Sequence, residues 1–133
     1  MDAPEHFDVD GELARFRPRG RYSLVEAVES ISRAIAFCRD AGVGKLLVDA
    51  SGFVGIPIPT LVDRFLMIED WAQESQGRVA VALVVRPEYI HERKFGVKVA
   101  ADFGLLADVH STERDALEWL ARGVADGRAR SAS

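Results

Sequence analysis

Asp49 and Ser51 stand two residues apart in VDASGFVGIPIPTLVDRF (residues 48–65), a hydroxyl near a carboxylate where an apolar run ends. A serine nucleophile needs a base, an orienting group and usually the strained turn that Gly-x-Ser-x-Gly provides. That pattern is missing here, and an Asp-x-Ser pair after a strand ordinarily bonds the local amides of a turn. The three histidines, His6, His91 and His110, fall in unrelated segments. None has a second ligand four residues on, and His91-Glu92 lacks the second histidine of a zinc helix, so no metal site is expected. Cys38 is the only cysteine, which rules out an internal disulfide or a cysteine-based metal cluster. It falls on an apolar helical stripe and is expected in the core. Gly42-Val43-Gly44-Lys45 looks like a fragment of a phosphate loop. A phosphate loop, however, leaves a strand and opens a helix, so that helix amides face the anion. This segment does the reverse, so it is read as a turn. No catalytic constellation is legible, and neither an enzyme nor a cofactor is expected.

The loop 50–59 is another matter, because loops are usually polar and this one is not. Phe53, Val54, Ile56, Pro57 and Ile58 leave it almost without charge. It is either the wall of an apolar pocket or a lid over the core. The candidate binding residues are Ser51, Phe53, Ile56, Pro57, Ile58 and Thr60 of this segment, Arg64 just beyond it, and Arg86, Tyr89 and Lys94 from the crossing after the next strand. His91, Lys94 and Lys98, flanked by Arg86 and Arg93, are expected to share a helix face that is either solvated or meets an anionic group.

These residues need elements to carry them. Phe7 and Val9 alternate with aspartates before Asp10-Gly11, the signature of a tight hairpin, and Leu13 to Arg17 forms its second strand. Ser23-Leu24-Val25-Glu26 has capping-box form and opens a helix over 24–41 with Leu24, Val28, Ile31, Ile35 and Cys38 on one stripe. Gly42 stops it. Lys45 to Asp49 reads as a buried strand. A second helix is expected from about Thr60 to Gln76, with Leu61, Phe65, Ile68 and Ala72 inward. Val79 to Val85 is apolar on both alternating faces, so it should be a central strand. A third helix is expected from Pro87 to Phe103, with Phe95, Val99 and Phe103 on one side. A short edge strand follows at 107–110, and a last helix from Thr112 stops at Gly123. The order β-β-α-β-α-β-α-β-α predicts a single α/β domain over 1–123 with a mixed, largely parallel sheet of about five strands. Residues 124–133 are expected to form a frayed basic tail.

The bulk numbers agree. A chain of 133 residues with 48% hydrophobic and 29% charged side chains is globular. Its net charge of −4 is not that of a nucleic-acid binder. The amino terminus is acidic and without an apolar stretch, so no secretory leader is expected. No apolar run approaches the roughly 18 residues that span a bilayer. A soluble cytoplasmic protein is expected.

In several stretches the chain resembles the STAS domain, the fold of bacterial anti-sigma factor antagonists. The similarity is to the small bacterial branch often grouped with CRAL-TRIO lipid-binding domains. It is carried by Lys45-Leu46-Leu47-Val48-Asp49, Arg78-Val79-Ala80-Val81, the helix and stop from Phe95 to Gly104, and Ala116-Leu117-Glu118-Trp119-Leu120, over about residues 5 to 122. The resemblance implies a non-enzymatic regulatory or binding module. In the antagonists a helix after the long loop begins with Asp-Ser, and a partner kinase phosphorylates that serine. Here the stretch reads Pro57-Ile58-Pro59-Thr60, with Ile58 about where the serine stands and Thr60 expected as a helix cap. Two roles remain open. One is binding of an apolar or amphipathic, lipid-like molecule near loop 50–59, with Arg64, Arg86 or Lys94 at a charged head. The other is a protein–protein module without the usual phosphorylatable serine, a homodimer through the apolar loop or the edge 107–110 being one form of it.

Overall fold

In the computed structural model, residues 4–91 and 94–132 are described. The chain opens with a hairpin, β1 (Phe7–Asp10) and β2 (Leu13–Phe16), joined through Gly11 and Glu12. Gly11 sits at φ +62, the positive value that a two-residue hairpin turn requires. Then follow β3 (Gly20–Arg21), α1 (Leu24–Ala41), β4 (Lys45–Asp49), β5 (Phe53–Val54) and α2 (Leu61–Ser75). The remainder is β6 (Ala80–Val84), α3 (Phe95–Asp102), β7 (Ala107–His110) and α4 (Glu113–Ala132). Five strands form one sheet in the order β1-β2-β4-β6-β7, with only the β1–β2 pair antiparallel. The expected α/β class and mixed, largely parallel sheet are therefore what the chain adopts.

Alternation along the strands divides the core in two. Ala14, Phe16, Leu46, Val48, Val79 and Val81 face the layer containing α1, α2 and α3. Leu47, Ala80, Ala82 and Val84 face α4, where Ala116 and Leu120 meet them. β6 is thus apolar on both sides because helices cover both sides. Ser23 and Glu26 exchange hydrogen bonds as a capping box at α1, Thr60 and Asp63 do the same at α2, and Gly42 ends α1 in the left-handed region. Cys38 is fully buried, and burial pushes its thiol up to about 12.

Four features differ from expectation. β3 and β5 were not legible, since a two-residue strand carries no period. They pair in parallel and tie the apolar loop to the segment after β2. Gly52 makes this possible: a Cβ there would lie 2.7 Å from the Pro18 carbonyl oxygen. The third helix begins at Phe95 rather than Pro87. Pro87–Tyr89 makes one 3-10 turn, and Lys94 at φ 48 breaks any helical continuation. His91, Lys94 and Lys98 therefore do not share a helix face, and Arg93 lies outside the described residues. On α2, Ile68 and Ala72 point inward with Trp71, but Leu61 and Phe65 are about half exposed. Finally, α4 continues through Gly123 to Ala132. One glycine in a helix costs only about 1 kcal/mol, too little to force a stop by itself.

Candidate functional site

The two loops that leave β4 and β6 at their carboxyl ends converge, as a parallel sheet requires. Beneath them, between the sheet and the helices of the α1–α3 layer, lies a cavity of about 140 Å³. Its floor is Val81, Leu83 and Val85 of the central crossing with Ala107 and Val109 of the edge strand. α1 contributes Ala27, Val28 and Ile31, and α2 contributes Met67, Ile68 and Trp71. Loop 50–59 supplies Ala50, Phe53, Ile56 and Pro59. The Trp71 indole donates to the Val28 carbonyl at 3.2 Å, so this wall presents an apolar ring with its one polar atom satisfied. Phe53 is backed by Tyr22, ring centroids 4.6 Å apart. An interior of this size and composition is comparable to apolar cavities of about 150 Å³ that stay dry and take up benzene-sized molecules.

Polar groups gather at one end, where Arg64, Arg86, Tyr89, His91, Lys94 and Asp108 complete the lining. Tyr89 is the hub. Its hydroxyl donates to the Ile56 carbonyl and accepts from Arg86 Nη2 at 3.2 Å, while its own carbonyl accepts from Arg64 Nη1 at 3.1 Å. The Arg86 guanidinium also lies 5.3 Å from the Tyr89 ring centroid, over its face. One residue thus joins the loop after β6 to the loop after β4 and to the first turns of α2.

The charges here are unequally compensated. Lys94 Nζ is 2.9 Å from Asp108 Oδ1, and Arg86 is 3.6 Å from Glu88. Arg64 has no carboxylate partner among the described residues. Burial lowers its pKa, the mark of a guanidinium partly stripped of water. His110, next to the site on β7, is lowered chiefly by burial, partly offset by Asp108 at 3.9 Å.

Of the ten residues singled out in the sequence, Phe53, Ile56, Arg64, Arg86, Tyr89 and Lys94 line the cavity. Ser51, Pro57, Ile58 and Thr60 do not. Ser51 donates to Asp49 Oδ1 from both its amide (3.1 Å) and its hydroxyl (2.5 Å). An aspartate is therefore within reach of the serine, but as the cap of a local turn outside the cavity. The Thr60 hydroxyl accepts from the Asp63 amide at 3.1 Å. Pro57 and Ile58 face solvent. The walls from α1 and α2 were not foreseen as site residues, because a stripe such as Val28 and Ile31 reads the same whether it packs on a sheet or bounds a void. No group of three or more His, Cys, Asp or Glu among the described residues is placed to hold a metal ion. Nor is any helix among them long and apolar enough to cross a membrane.

No protein-family model matches the chain. No curated protein matches it either. Among solved structures, the NMR structure of the protein TM1081 overlays 87% of each chain at a TM-score of 0.47 with 14% sequence identity. This is a likeness of chain path alone.

Proposed function

We propose that this chain is a non-enzymatic, cytoplasmic binding module of STAS-like fold that takes up an apolar or amphipathic small molecule carrying a negatively charged head. The carrying observation is Arg64, a partly desolvated guanidinium without a described carboxylate partner, at the end of an otherwise apolar cavity. Binding sites of small molecules combine an apolar lining with a few convergent polar groups, and this cavity has that composition. An anionic head beside Arg64 would receive charge-assisted hydrogen bonds, and the Arg86–Tyr89 pair would border it. The apolar remainder would lie against Phe53, Trp71 and Leu83.

Native mass spectrometry of gently purified protein, followed by a melting-temperature screen across fatty acids and phospholipids, tests this reading. A co-purifying mass that is extracted as an anion, or a melting temperature raised by anionic amphiphiles, is expected. A ligand-free mass with no thermal shift across the panel would overturn it. A protein-binding role, without the phosphorylatable serine that the resemblance would place at Ile58, is the second reading. The outer face of α2, with Leu61, Val62, Phe65 and Leu66 in solvent, is what favours it.

A further inference from the structure

We infer that the cavity is a blind slot cut to a monocarboxylate of about six to eight carbons, too short for long acyl chains and phospholipids. The inference rests on the reading of Arg64 as the seat of a negative head, and adds the length of what lies behind it. Two elements run from mouth to base and measure the depth. On α2, Arg64, Ile68 and Trp71 stand at i, i+4 and i+7, so one helix face carries all three into the lining. At about 1.5 Å per residue they span roughly 10 Å. Along β6 and its exit, Val85, Leu83 and Val81 alternate on the floor. At about 3.3 Å per residue they span roughly 13 Å. The base is made by Ile31, Ile68, Trp71 and Val81, between 2% and 7% exposed. Ile35, Val79 and Val99 continue the packed core around them, so the slot is closed at this end.

Depth and volume select the same ligand. A saturated chain advances roughly 1.25 Å per carbon–carbon bond of about 1.5 Å, so a carboxyl carbon at Arg64 leaves room for about seven more before Trp71. A chain of about eighteen carbons needs roughly 20 Å, twice the depth. The cavity volume of about 140 Å³ matches apolar cavities of about 150 Å³ that hold a benzene-sized molecule. The charges at the mouth select the head. Arg86 and Lys94 are paired with Glu88 and Asp108, which leaves Arg64 without a carboxylate partner among the described residues. Its guanidinium gives one donor to the Tyr89 carbonyl and keeps others for an incoming oxygen pair. A single uncompensated cation matches the single charge of a carboxylate better than a phosphate dianion.

Calorimetric titration of the full chain with straight-chain carboxylates from butanoate to hexadecanoate, each below its critical micelle concentration, reads the slot length. Affinity should rise about fourfold per added methylene up to octanoate. From decanoate on it should level or fall, so that hexadecanoate binds no tighter than octanoate. Ile68→Ala removes three carbons from the base and should move the optimum to acids longer by about two carbons. Ile68→Val removes one and should move it by about one, with less risk to the core. Affinity that climbs without a break to hexadecanoate, or that does not depend on length, overturns the inference and leaves Arg64 as the seat of the head. So does an optimum that stays in place in both folded Ile68 variants. Binding by no acid of any length overturns the inference together with the reading on which it rests.

Discussion

Replacing Arg64 with Met should cost ligand affinity while leaving the stability of the free protein nearly unchanged or raised. In the free protein the guanidinium makes one described hydrogen bond, to the Tyr89 carbonyl at 3.1 Å, and burial costs it hydration. Methionine keeps the apolar stem against Met67 and Ile68 and removes the desolvated charge. The lost bond is worth about 1.5–3 kcal/mol when one partner is charged, but water at the polar end can still reach the carbonyl. The removal of desolvation offsets much of what remains, so the unliganded melting temperature should stay within a few degrees of the parent or rise. Binding of an anionic amphiphile loses a charge-assisted contact inside a low-dielectric mouth. At about 1.5–3 kcal/mol this is a loss of roughly 10- to 150-fold in affinity. A neutral analogue of the same chain length, the corresponding alcohol or methyl ester, should lose less than about threefold. The assay is displacement of a fluorescent fatty acid, run with acid and ester on both proteins. Equal losses for acid and ester, or none for either, would refute the assignment of Arg64 to a negative head.

Three further outcomes follow from the same geometry. Ala27→Leu on the cavity wall fills part of the 140 Å³ void, so ligand-induced stabilisation should disappear while the unliganded fold melts no lower than about 2 °C below the parent. Gly52→Ala should destabilise by about 1–3 kcal/mol in denaturant titrations, since its Cβ meets backbone at 2.7 Å and Gly52 precedes the β3–β5 pairing. Glu113 accepts bonds of 2.8 and 2.7 Å from Arg17, which with the surrounding charges hold its carboxyl at about 2 instead of 4.5. A depressed carboxylate stabilises above its ordinary value and loses that contribution as pH falls from about 4.5 toward 2. Discounted for its partial exposure, the pair is worth about 1 kcal/mol, which Glu113→Gln should remove at pH 7 and not at pH 2.

What the sequence disclosed and what it withheld divide along a physical line. Helix α1 and strands β4 and β7 lie where their patterns place them, because capping groups, a C-terminal glycine and burial on one or two faces are local or periodic signals. The position of the cavity was also legible, since parallel strands bring their carboxyl-end loops to one edge. Loop 50–59 had no other reason to be so apolar. Whether that loop walls a pocket or lids the core depended on distances between elements far apart in the chain. The outcome is mixed: Phe53 and Ile56 turn inward, while Pro57 and Ile58 turn out. The pivot between the two behaviours is the Tyr89 hydroxyl on the Ile56 carbonyl, a contact across 33 residues that no spacing rule contains.

The exposed half of α2 shows the same limit from the other side. Leu61 and Phe65 fit the inward stripe by period, yet Ile68, Trp71 and Arg64 take the inner face. Period fixes that a face is apolar; it does not fix what the face meets. An apolar stripe on a helix is a demand for burial, and a sheet, a bound molecule or another chain satisfies it equally well. In this protein the demand exceeds what the sheet supplies at two places, the cavity beneath loop 50–59 and the outer face of α2. They differ in one respect that decides their partners. The cavity ends in a guanidinium without a described counter-ion, and so suits a ligand that brings a negative charge. The outer face has no charge at its centre and acidic residues along its border, and so suits an apolar surface that brings no excess of negative charge.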